Sequence, residues 1–456
     1  MTDQPRQQTR VVEAPPTTRA KGAESVSVPA GSGAWKRNLV FIWVGVFVGL
    51  LGANFVFPFI PFYLEELGVE GESNRAFWTG VTASVTGLSL TLTAPIWGSM
   101  ADRFGRKAMF LRALAGAGAL IAVMGVAQAL WHFVLLRFLM GAFAGTMGAA
   151  AALVAATTPR AKVGYALGML QTGQFAANMV GPALGGYVAA SLGMRQSFFF
   201  CAALYGIAVV AVFLFVREQP PEGEDSDEAA RPARPRGEGS LIGNLRVVIR
   251  ERQVVLMLLL LFALWLSTTF VRPVMPLSID DFAGDSGRED HVHLVLGPMD
   301  RYMRTEAATG LVFAAVGLTS TIAALAVAPV GQRIGYRKSV AISAAVTGIL
   351  FIPVALANNF AAFVLLFAAT GLFQGAMVPG TNALIAASTP EGKHGSTFGL
   401  AASMQSLALL VGPTAGGAVS ALFGIRSVYL VIGVLLLFTA VAAQLFIREP
   451  DIFRKR

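Results

Sequence analysis

The chain reads as long apolar runs separated by short polar ones. Each run is about as long as the roughly 20 residues that a helix needs to cross a bilayer. Residues 38–63, 77–100, 108–129, 131–157, 163–191 and 197–216 form six such runs. Residues 253–279, 307–331, 339–357, 360–387, 395–422 and 427–447 form six more. The pattern predicts an all-α membrane protein of twelve transmembrane helices in two halves, 35–216 and 253–447. Residues 1–34 are polar, rich in Pro, Thr and Gly, and lack an apolar run, so a disordered tail is expected there. Between the halves, 217–252 holds EGEDSDEAARPARPRGEG, a linker by composition, and 448–456 is a short basic tail.

Composition fixes the solvent. Of 456 residues, 55% are hydrophobic and 13% charged, against about a quarter charged in soluble proteins. Lipid therefore surrounds most of the chain. The net charge of +9 would suggest nucleic acid for a soluble protein, but here the cations gather in alternate loops. Lys36, Arg37, Arg103, Arg106, Lys107, Arg160, Lys162, Arg333, Arg337, Lys338, Lys393, the linker and the last tail lie on one side. The other side has only Arg75, Arg195, Arg288, Arg301, Arg304 and Arg426. That bias predicts cytoplasmic termini and linker. The outward loop 280–306, with Asp280, Asp281, Asp285, Asp290, His291 and His293, is expected to be solvated and acidic, with no metal site. Cys201 sits in an apolar run as a buried hydrophobe.

The halves repeat one another. GSMADRFGRK at 98–107 has a faded copy, APVGQRIGYRK, at 328–338. TTPRAKVGYALG at 157–168 parallels STPEGKHGSTFG at 388–399, and GPALGGYVAASLGMR at 181–195 parallels GPTAGGAVSALFGIR at 412–426. An even number of spans separates the copies. The repeats are therefore parallel, about an axis along the membrane normal, with a site expected between the halves near midplane.

These motifs resemble the major facilitator superfamily, and within it the twelve-helix drug:proton antiporters and a bacterial multidrug efflux subgroup. Gly98, Asp102, Arg103, Gly105, Arg106 and Lys107 match the family's loop 2–3 signature. Arg137 in LLRFLMGAFAG matches the fourth-helix arginine, and Gly181, Pro182, Gly185 and Gly186 match the fifth-helix antiporter motif. WKRN at 35–38 and PFIPFYLEELG at 58–68 carry the subgroup likeness. The resemblance implies proton-coupled export of amphipathic or lipophilic compounds by alternating access. Protons, a small-molecule substrate and the bilayer would be its partners, and the transporter would work as a monomer. A carrier of a defined metabolite, a sugar or an organic anion, stays open as the alternative.

Each candidate has a physical role. In the loop, Gly98 and Gly105 suit a tight turn. Asp102 can meet the positive end of a neighbouring helix, which the family architecture makes the eleventh, and so lock one conformation. Gln332 replaces the acid in the second copy. Pro182 removes a backbone donor, while Gly181, Gly185 and Gly186 allow close helix approach; packing and pivoting would use the same residues. Arg137 lies about six residues into its span, roughly 9 Å deep, and Arg272 in VRPVMP is also intramembrane. Charges there are costly and mark function. The family's cavity helices offer Asn54, Gln174, Gln374 and Asn382, mid-span amides that need partners. No Asp or Glu lies deep in a span, so proton coupling falls to Asp102 or to Glu65 and Glu66. The sequence holds no Ser/His/Asp set, no metal-ligand spacing and no phosphate-binding loop. A transporter with no cofactor and no enzymatic activity is expected.

Overall fold

The computed structural model describes residues 34–159, 162–217, 250–284, 291–296, 299–390 and 394–450. All but the last residue of the tail expected at 1–34 and most of the expected linker and final tail lie outside them. So do the side chains of Asp102 and Arg103.

The chain folds as twelve spans in two halves. In the first half these are α1 (Ala34–Phe55) with α2 (Ile60–Glu66), α3 (Glu72–Phe104), α4 (Arg106–Met124), α5 (Leu130–Phe143) with α6 (Thr146–Thr157), α7 (Val163–Leu192) and α8 (Met194–Phe215). The second half has α9 (Arg252–Val271) with α10 (Met275–Gly284), α11 (Thr305–Ile334), α12 (Tyr336–Ala355), α13 (Phe360–Ser388), α14 (His394–Phe423) and α15 (Ile425–Phe446). Ten of these spans are long and apolar enough to cross a membrane on composition; α3 and α7 are long but more polar. For α3 the reason is its position. Thr86, Ser89, Thr93 and Trp97 of α3 donate to the carbonyls of Arg137, Phe138 and Ala142, so this helix spends its polar face on a neighbour.

Three spans are broken where continuous helices were expected. Pro58 follows a 3-10 turn start at Phe57 in the first, and Pro273 follows Arg272 in the seventh. Neither proline can donate to the helical ladder. The fourth breaks at Gly145, which takes φ +111°, and the carbonyl of Ala142 freed there accepts from Trp97 and Thr93. The signature stretch is also tighter than expected. Helix α3 runs through Gly98 to Phe104, and Gly105 alone, at φ +91°, makes the turn into α4.

Each half has its own apolar core. Tyr63, Phe133 and Phe198 form a ring cluster in one, and Phe351, Phe363, Phe367 and Tyr429 another in the other. An amide ties the last span of each half to its first. Asn38 donates to the Arg217 carbonyl and accepts from its N–H. Gln253 likewise donates to the Phe446 carbonyl and accepts from the Arg448 N–H.

The loop after α10, expected to be solvated and acidic, has regular structure. It contains an antiparallel hairpin, β1 (His291–Leu296) and β2 (Met299–Arg304), in register His291 to Arg304. Val292 and Leu294 alternate into the second core. His293 pairs with Asp300 at 2.7 Å and stacks on Tyr302. We call this end of the molecule the hairpin face, and the end bearing residues 98–107 and their copy the signature face.

Candidate functional site

The two halves meet along two seams, α3 with α14 and α7 with α11, and the repeated G-P-x-x-G-G motifs build both. A methyl group on Gly181 or Gly185 would run into the backbone of Leu51 or Phe55 in α1. In the copy, one on Gly416 would collide with the Phe270 carbonyl of α9. The last glycine of each motif faces the opposite half instead. A methyl on Gly186 would strike the carbonyl of Glu306, and one on Gly417 the carbonyl of Ala76. Gly80 and Gly310 make the reciprocal approaches, to Pro413 and Pro182. Pro182 is accommodated within an unbroken α7.

All these approaches lie toward the hairpin face. There, too, the Ser84 hydroxyl accepts from the Thr414 N–H at 3.1 Å, and Arg304 donates to the Ala190 carbonyl. At the signature ends, Gly164, Gly168 and Gly399 have nothing within 4 Å of where a side chain would begin. The structure is closed at the hairpin face, and the described glycines of the signature face make no such approach between the halves.

Charged groups cap the closed end. Arg75, at the start of α3, pairs with Glu65 at 2.6 Å and lies 3.8 Å from Asp280 of the other half. Glu66 pairs with Arg195 at 3.5 Å. Thus the Glu65 and Glu66 side chains sit in surface ion pairs, 59% and 39% exposed, away from the span interior. Glu306 is different. It is 5% exposed, accepts from Arg304 at 3.1 Å through one oxygen, and buries the other without a partner. Sequence reasoning missed it because it sits at the edge of an apolar run. The signal was its register: Asp102 with Gln332 and Gly80 with Gly310 set a 230-residue offset between α3 and α11, which puts Glu306 at the position of Ala76, next to Arg75.

Below this cap the structure brings Arg137 and Arg272 together. Arg137 is 2% exposed. Its guanidinium carbon is 5.7 Å from the centre of the Phe57 ring, and that of Arg272 is 5.2 Å from the same ring. VFPFIP at 56–61 and VRPVMP at 271–276 are themselves repeat copies, which makes Phe57 and Arg272 equivalent positions. Contact between equivalent positions places them beside the pseudo-twofold axis, at the centre of the molecule.

The amides divide. Asn54 donates to Asn178 at 3.0 Å and to its own helix, bridging the first and fifth spans. Asn382 buries its carbonyl oxygen without a partner, as Trp265 does its indole N–H. Gln174 and Gln374 are half-buried and outside the Arg137–Phe57–Arg272 group. Arg112 stacks over Trp97 at 3.4 Å with two buried nitrogens unpaired, and Lys107 donates to the Phe213 carbonyl at 2.9 Å.

A duplicated bundle of this kind, closed at one face around a central polar group, defines the class of two-lobed membrane transporters. The chain belongs to the Major Facilitator Superfamily, whose family model matches residues 42–290 and again 257–456. It is similar to the multidrug resistance protein MdtG of Enterobacter lignolyticus, at 31% identity over 91% of this chain and 93% of that one. The MdtG of Yersinia enterocolitica is 32% identical over 89% and 92%. Among solved structures it is similar to a bacterial homologue of the human lysosomal transporter Spinster in an inward-facing, unoccupied conformation. The TM-score is 0.72 at 12% identity, over 93% of this chain and 99% of that one. A D-xylose–proton symporter gives 0.71 at 13%, over 93% and 100%. At those identities the structural likeness speaks to the fold alone.

Proposed function

We propose that this transporter exports amphipathic or lipophilic compounds by proton antiport, alternating access between two faces of a bacterial inner membrane. The signature face is cytoplasmic in this reading, with both termini and the 217–252 linker on that side. The division into a tail at 1–34, halves at 35–216 and 253–447 and a tail at 448–456 goes with it, as does function as a monomer without cofactor or enzymatic step. The observation that carries the reading is the one-sided closure of the halves along glycine seams. Similarity to multidrug resistance proteins over nine-tenths of the chain supports the substrate class. Asp102, with Gly98, Arg103, Gly105, Arg106 and Lys107, is proposed to lock the opposite, outward-open state. Arg137, with Asp102, Glu65 or Glu66, is proposed to couple it to protons. Asn54, Gln174, Arg272, Gln374 and Asn382 are proposed to line the cavity.

The test is efflux of Nile red, a neutral lipophilic dye, from energised cells expressing the chain. Efflux above the vector control that a protonophore abolishes supports the reading. Efflux equal to the control refutes it. The alternative of an organic-anion carrier is favoured by the two central arginines.

A further inference from the structure

The membrane-embedded part of the chain holds two central cations, and the buried carboxylate at its rim, Glu306, pairs with Arg304 instead. Between Asp102 and Glu218 the sequence contains no Asp or Glu, and none lies between Arg252 and Ile279. Among the described residues neither Arg137 nor Arg272 reaches a carboxylate. Arg137 has only the Met140 sulfur, 3.9 Å from one Nη, and leaves its buried Nε unpaired. Its guanidinium carbon is 5.7 and 5.9 Å from the centres of the Phe57 and Phe133 rings. Arg272, from the other half, stands over Phe57 and is half-buried. The two guanidinium carbons can be no farther apart than the sum of their distances to that shared ring.

Desolvated cations without counter-charge are costly in a membrane. Aromatic faces offset only part of that cost, and the planar guanidinium fork suits carboxylate and phosphate oxygens. The position matters as well. The pair lies beside the axis, beneath the closed hairpin face.

We propose that Arg137 and Arg272, bracketing Phe57, form a subsite for the anionic head group of an amphipathic substrate, a carboxylate on an aromatic or aliphatic body. This rests on the transporter reading above and narrows its substrate class. Because the two arginines come from opposite halves, the head group would bridge the halves. Removing either arginine should then cost selectivity for charge more than general affinity.

The test is binding to the purified full-length chain in neutral detergent, followed by tryptophan fluorescence. The probes are 1-pyrenebutyrate and its neutral amide, against wild type, Arg272→Gln, Arg137→Gln and Arg137→Lys. The expected result is at least tenfold tighter binding of the acid than of the amide. That ratio should fall to within twofold of one in Arg272→Gln, with acid binding weakened more than amide binding, and be partly kept in Arg137→Lys. Equal binding of acid and amide to wild type would overturn the proposal, as would a ratio unchanged in both glutamine variants. Phosphatidylglycerol, and not free acids, displacing the probe would assign the pair to lipid head groups and overturn the substrate assignment. Binding needs no gradient, so this outcome is independent of the dye-efflux test: either proposal can fail while the other stands.

Discussion

Gly186→Ala adds one methyl group at the seam between α7 and α11. That methyl would overlap the Glu306 carbonyl of the opposite half, and a backbone atom cannot swing aside as a side chain can. The closed hairpin face must therefore open slightly or the helices must shift. Overpacking of this kind costs about 1–3 kcal/mol. Because the strain exists only when the seam is closed, about 2 kcal/mol would move the closed-to-open ratio roughly 30-fold. The readout can sit on the other seam, since the halves should move as bodies. Ser84→Cys, in a Cys201→Ser background that removes the only native cysteine, reports from α3. A membrane-impermeant maleimide added at the hairpin face should label it at least tenfold faster when Gly186→Ala is present. Gly164→Ala, on the same helix but facing open space, should leave the rate unchanged. Labelling within twofold of wild type in Gly186→Ala, or equal acceleration by Gly164→Ala, would refute the reasoning.

Three further outcomes follow from other parts of the molecule. Glu449 accepts from the Tyr336 and Arg337 N–H groups at 2.8 Å each, capping the positive end of α12. After allowance for its partial exposure, Glu449→Ala should cost about 1–2 kcal/mol, seen as a lower Tm in detergent with the fold retained. Partial desolvation at the rim of α3, ahead of the span, and then Asp281 of the other half push the Glu72 carboxyl up, against the pull of Arg75. A raised carboxyl favours the closed hairpin face while protonated, and this contribution is lost as pH rises through its pKa. Acidifying that side should therefore shorten spin-label distances across the face, and Glu72→Gln should remove that part of the response. Asp102→Asn should impair efflux at normal expression; unchanged efflux would remove Asp102 from the lock.

Much of this architecture was legible in the order of residues. The twelve runs, the duplication and the paired G-P-x-x-G-G motifs follow from hydropathy and spacing, because lipid imposes length and glycine imposes approach. What stayed hidden depended on tertiary partners. Periodicity could not show that Gly105 alone makes the turn, since the helical ladder runs through a charged stretch once α3 emerges from lipid. The hairpin escaped because its Val292 and Leu294 alternate over too few residues to stand out among charges. Proline pairs marked the breaks in the first and seventh spans, and aligning those breaks would have set Arg272 opposite Phe57. The unpaired oxygen of Glu306 depends on the packing of α11 against α7, which no local pattern records.

The central claim is reciprocal opening of two faces, and paired spin-label distances test it most directly. Labels at Phe104 and Phe398 span the halves at the signature face, and labels at Leu192 and Leu422 span them at the hairpin face; all four side chains are exposed. The account predicts that conditions lengthening the hairpin-face distance shorten the signature-face distance, in two exchanging populations. Distances that stay fixed at both faces, or lengthen together, would contradict it.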